Sequence, residues 1–139
     1  MQFLETRKSL TDKGVMAMLD AAIAEADFQG QPQCIVIVDA AGHTLGEIRM
    51  TGSKFQSAKS ARSKALTAAS IRVPSNDLPE HVRPFIATAT GGDVTGLPGG
   101  LSIFFEGEIV GGIGIGSGAG EQDIAVTRAA LAAIGADAV

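Results

Sequence analysis

The run Ile109-Val110-Gly111-Gly112-Ile113-Gly114-Ile115-Gly116 constrains this chain more than any other segment. Alternate residues of a strand face opposite sides of a sheet. One face of the run then carries Ile109, Gly111, Ile113 and Ile115, and the other Val110, Gly112, Gly114 and Gly116. The second face is almost bare of side chains. Strand glycines lose backbone entropy and pack nothing, so a row of them implies that another group comes close. A bound ligand meets that requirement. So does a helix lying tight on the sheet, or a bulge. A Glu106-Gly107 turn joins the run to the apolar segment Leu101–Phe105, which reads as its hairpin partner.

The chain has 139 residues, 45% of them hydrophobic and 19% charged. That is enough for a single domain over residues 1–139 with a proper core. The single Cys34 lies in an apolar run and reads as a buried small hydrophobe. The first ten residues, MQFLETRKSL, contain no apolar leader core, and no run reaches the roughly 18 apolar residues of a membrane span. The expectation is a cytoplasmic protein with no membrane partner. A net charge of −4 argues against a general nucleic-acid binder. The charge distribution says more. Between Glu47 and Asp77 there is no acid, and that window holds Arg49, Lys54, Lys59, Arg62, Lys64 and Arg72. Such a basic segment in an acidic chain suits a small anion, or it is a solvated helix face.

Ser9 to Ala26 shows a helical apolar stripe at Val15, Leu19, Ala22, Ile23 and Ala26, with Ser9 or Thr11 to cap it and Gly30 to end it. Cys34–Val38 is a β-branched run that suits a central strand buried on both faces. Asp39 to Gly42 is turn chemistry, and His43 to Met50 is the returning strand. Ser53 to Ile71 reads as a second helix. Its Ala61, Ala65 and Ala68 form a smooth stripe beside a polar stripe of Ser60, Lys64 and Thr67. Asn76 to Gly96 is the least regular region, with a short helix over Leu78–Ile86, and the Gly-Thr-Pro-rich stretch to Gly100 reads as a loop with a short strand near Ile86–Thr90. A last helix runs from about Gln122 to Ile134, with Glu121 and Asp123 at its start. No regular alternation of strands and helices is present, so an antiparallel sheet with packed helices is expected, in the α+β class.

Several segments stand in one order: VIVDAAG, EIRM, KALTAAS, LPGGLSIFFEGEIVGGIGIGSG and EQDIAVTRAAL. Together they resemble the GlcG/HbpS family of haem-degrading domains, which includes the C-terminal domain of PduO-type proteins. The resemblance covers Thr11 to Ile134 and implies a profilin-like, five-stranded antiparallel sheet. It also implies a homo-oligomer. Some members bind haem, some accompany corrinoid metabolism and one accompanies glycolate oxidation. Haem is thus a possible cofactor. His43 and His81 have no partner at metal-ligand spacing, and no metal site is expected.

The candidate ligand-binding residues are Arg49, Lys64, Thr67, Gly99 and Gly100, and the candidate catalytic residues are Lys64 and Asp123. Arg49 offers a planar fork for a carboxylate, and Lys64 a point charge. Two glycines after Pro98 can present N–H groups to an anion. Each has a structural alternative. Arg49 and Lys64 can pair with Asp39 or Asp123, Thr67 can bond its own helix, and Asp123 can simply be a helix-start acid. The expected function is binding of an anionic small molecule or tetrapyrrole. The alternatives are a cofactor-independent isomerase, hydratase, lyase or hydrolase acting on a small carboxylic acid, and a purely structural or regulatory oligomer.

Overall fold

The computed structural model describes residues 2–139. Helix α1 spans Asp12–Gln29, because Thr11 accepts a hydrogen bond from the Gly14 N–H and Gly30 closes the helix in the left-handed conformation. Strands β1 (Cys34–Asp39) and β2 (Thr44–Arg49) form a hairpin. Its turn is held by Asp39, whose Oδ1 accepts from the N–H groups of Ala41 and His43, both at 2.9 Å. Helix α2 covers Gln56–Ile71. Helix α3 (Arg83–Ala89) follows two short 3-10 turns, with Pro84 in its first turn, where no N–H is needed. Strands β3 (Gly100–Phe105) and β4 (Glu108–Gly116) form the second hairpin, and α4 spans Gly120–Ala133.

The sheet has four strands in the order β2-β1-β4-β3, and every neighbouring pair is antiparallel. The expected fifth strand is absent among the described residues. The segment near Ile86–Thr90 falls largely in α3, which buries none of its residues and pairs with no strand. The α+β class holds, with four strands and four α-helices among the described residues. None of the helices is long and apolar enough to cross a membrane.

Each face of the sheet is covered. Ile35, Ile37, Leu101, Ile103, Ile113 and Ile115 pack against Met18, Ala22, Val126 and Ala130 of α1 and α4. On the other face, Cys34, Val36 and Val38 pack against Ala61, Ala65 and Ala69 of α2. The bare glycine face of β4 is explained here. A Cβ on Gly112 would overlap the Ala65 carbonyl oxygen, and one on Gly114 would overlap that of Ala61. The glycines let the α2 backbone rest on the sheet, so it is a helix that needs the space. One assignment changes. Gly111 pairs with Ile103 but Ile109 pairs with Phe104, so Val110 is an extra residue in β4. The bulge turns Val110 to the same core as Ile113 and Ile115, away from the glycine face.

Candidate functional site

Lys64 and Asp123 meet at the end of the β3–β4 ladder. Lys64 Nζ donates to Asp123 Oδ2 at 3.0 Å and to the Ile115 carbonyl at 2.7 Å. The side chains are 7% and 2% exposed. Burial pushes the Asp123 carboxyl above the ordinary aspartate range, against the opposing pull of Lys64, the Gln33 amide and the Gly118 N–H. Gly99 makes the meeting possible. Its φ is 116°, and a Cβ there would stand 2.9 Å from both Asp123 Cβ and the Ile115 oxygen.

The pair forms the inner wall of a cleft of about 280 Å³. Lys54, Gln56, Ser57 and Ser60 of the α2 start line one side, and Ser117, Gly118 and Gly120 of the α4 start line the other. The first turns of an α-helix leave N–H groups without intrahelical partners and carry a partial positive charge. A Ser, Thr, Asp or Asn at the cap usually answers them. Here the cap positions are Phe55 and Ala119, and neither helix has a side-chain acceptor there. Gln122 Oε1 turns back only as far as the Ala119 N–H. Two helix starts without a side-chain cap therefore face one cleft, with the exposed ammonium of Lys54 beside them, although at α2 the Ser57 and Ala58 N–H groups already donate to the Lys54 and Phe55 carbonyls. Ser117 sits between them with φ at 102°, an uncommon conformation for a residue with a side chain. Its Oγ accepts from the Lys54 N–H at 3.1 Å, which ties the α2 start to the end of β4.

Behind this wall the polar groups of Asp123 and Gln33 are deeply buried. Asp123 Oδ1 and both polar atoms of the Gln33 amide are buried without a hydrogen-bond partner among the described residues. Gln33 Nε2 and Asp123 Oδ1 both lie against Gly118, and the Gln33 side chain and the Gly118 N–H act on the Asp123 carboxyl against its upward shift.

Of the residues singled out from the sequence, Lys64, Asp123, Gly99 and Gly100 come together. Gly100 does not present a free N–H, because Ser75 Oγ accepts it at 3.0 Å. Thr67 lies away from the cleft. It donates to the Ser63 carbonyl at 2.7 Å and accepts from the Thr95 N–H at 2.9 Å, which holds the 91–97 loop on α2. Arg49 is exposed on β2 and lies opposite Cys34. Strands β1 and β4 stand between it and Gly99–Gly100 on the β3 side, and it does not line the cleft. His43 is 80% exposed beside Asp39, and His81 is exposed. Sequence reasoning missed Gln56 and Gly118, and it noted Lys54 and Ser60 only as members of a basic window and a polar stripe, not as site residues. The signal for them was the lack of a capping residue before either helix, hidden because both helices begin away from where the pattern put them.

Comparison with known proteins adds the following. A family model described as haem degrading protein HbpS-like matches residues 10–132. The corrinoid adenosyltransferase PduO of Citrobacter freundii is 32% identical over 135 residues, covering 94% of this chain. The chain spans only 40% of that relative's length. Among solved structures, a PduOC–haem complex is 28% identical with a TM-score of 0.86, covering 94% of this chain and 98% of that one. HbpS is 30% identical with a TM-score of 0.82, covering 94% and 93%. The Klebsiella pneumoniae protein ORFY has a TM-score of 0.91 at 22% identity, covering 97% of each chain, and supports the fold alone. With the family model matched over most of its length, the chain belongs to the HbpS-like family of haem-degrading proteins.

Proposed function

We propose that this domain binds an anionic small molecule or tetrapyrrole through a carboxylate seated where the starts of α2 and α4 meet. The observation that carries this reading is the convergence of two helix N-termini without a side-chain cap and Lys54 on one cleft. Backbone N–H groups at a helix start are ready-made anion donors. The similar PduOC structure, solved with haem, supports a tetrapyrrole as one source of that carboxylate.

The fit to haem is partial. The cleft suits an acid arm, and at about 280 Å³ it lies near the lower end of ligand pockets. None of its lining residues is His, Cys or Met, so it offers the iron none of its usual protein ligands. No step through the iron is therefore assigned. The enzyme alternative finds less support. Lys64 is committed to Ile115 and Asp123, which gives the pair a structural role in this reading rather than that of a proton shuttle. Self-association belongs to the same proposal, because Phe28, Phe55 and Phe85 are each at least 76% exposed. Light scattering should give a multiple of the 14.1 kDa chain mass, and a monomer at micromolar concentration would remove this part.

Haem titration followed at the Soret band, with propionate as competitor, tests the site. Ser60→Glu places a negative charge in the cleft and should weaken binding by about tenfold or more, equivalent to roughly 1.4 kcal/mol. Arg49→Ala should leave it unchanged. Binding that ignores Ser60→Glu and Lys54→Ala would put the ligand elsewhere.

A further inference from the structure

We propose that this site recognises a tetrapyrrole by its acid side chain and not through its metal, so that a metal-free porphyrin binds as tightly as haem. This rests on the carboxylate reading of the cleft and adds which part of the ligand is read. The cleft adjoins a second cavity of about 370 Å³, and Gln56 and Ser60 line both. A ligand larger than a simple acid therefore has room beside its seated carboxylate. Neither cavity is lined by His, Cys, Met or Tyr, the side chains that hold haem iron.

Such side chains elsewhere among the described residues are badly placed for it. The chain has no Tyr. Cys34 lies nearest, with its Sγ 3.5 Å from both the Lys54 carbonyl and Ser53 Oγ, but it is fully buried and lines neither cavity. His43 follows the far end of β1. That strand begins at Cys34, paired with Gly116 beside the cleft, and ends at Asp39, paired with Gly111. At about 3.4 Å per residue, roughly 17 Å separates the two ends. His81 is exposed on the short turn Glu80–Val82 and lines neither cavity. Met18 is sealed in the core, and Met50 Sδ accepts from the Gln33 N–H at 3.4 Å. Met16 is exposed on α1, which covers the opposite face of the sheet from α2. Haem and its metal-free parent carry the same acid side chains. A site that reads those acids with backbone N–H groups and Lys54 gains the same from each.

The test compares haem, protoporphyrin IX and protoporphyrin IX dimethyl ester on the unaltered 139-residue chain, the first by its Soret band and the others by porphyrin fluorescence. Haem and protoporphyrin IX should bind within about tenfold of each other, the factor that one interaction of roughly 1.4 kcal/mol supplies. The ester, whose acids are blocked, should bind at least about tenfold more weakly than the free acid. Cys34→Ser, His43→Ala, His81→Ala and Met16→Ala should leave the spectrum of bound haem unchanged. Haem binding more than about tenfold tighter than protoporphyrin IX, or a spectrum that changes in one of those variants, would overturn this inference. The carboxylate reading would then stand if Ser60→Glu still weakened both. If acid and ester bind alike, the carboxylate reading falls and this inference with it. If propionate binds and neither porphyrin does, this inference falls and the carboxylate reading remains.

Discussion

Lys64 Nζ lies 3.0 Å from Asp123 Oδ2 although the two residues stand on helices that cover opposite faces of the sheet. The pair is a strut between layers, passing the sheet beside Gly99, where no side chain blocks the way. Removing one partner strands the other charge in a dry site. Lys64→Met should lower stability by about 3–5 kcal/mol, whereas Lys64→Met with Asp123→Leu should recover most of that loss. Urea unfolding of the single and double variants measures the difference. A single variant as stable as the parent would show that the pair is well solvated.

The glycine face of β4 makes a sharper packing prediction. Overpacking a core costs about 1–3 kcal/mol and sometimes more. Gly114→Ala should fall at the upper end, because the obstruction is the main chain of Ala61 and not a side chain that can rotate. For the same reason, adding Ala61→Gly should not rescue it. Thermal unfolding of both variants checks this, and full rescue would mean that α2 is held off the sheet by its side chains.

Two aspartates bend the pH dependence of stability in opposite senses. For Asp39, burial acts to raise the carboxyl's pKa, but the N–H groups of His43 and Ala41 and the His43 ring outweigh it, and the net shift is down. Its contribution is present above the ordinary aspartate value of about 3.9 and is lost as pH falls through the lowered value. Asp123 is shifted up, by burial. Its contribution is fully present below the ordinary value and is lost as pH rises through the raised one. Asp39→Asn should therefore flatten the acid limb, and Asp123→Asn the decline above it. Urea midpoints across pH 2–7, roughly, would show this. A steeper decline in Asp123→Asn would contradict the assigned direction.

Much of the fold was legible because its periodicities are strong. Cys34–Val38 has the continuous apolar run of an interior strand, and it is buried between β2 and β4. Val15, Leu19, Ala22 and Ala26 mark the buried face of α1. The short α3 was harder to read, since none of its residues is buried enough to show a stripe. The bulge at Val110 left no mark in the alternation, because it depends on pairing with β3. Lys64 and Asp123 could be named from chemistry and helix position. Their meeting across the sheet could not, because it depends on the gap at Gly99 between layers. Arg49 carried the right chemistry, but strand order decided its place and put it on an outer strand.

The most direct test of the account follows backbone amide signals while a carboxylate is added to the 139-residue chain. Saturable shifts should concentrate at Gln56 of α2 and at Gly120, Glu121 and Gln122 of α4, at the helix starts that face the cleft. Arg49 and the N-terminal residues Glu5 to Arg7 should stay still. Saturable shifts confined to the separate cavity beside Arg7 and Arg72, with both helix starts unmoved, would contradict the account.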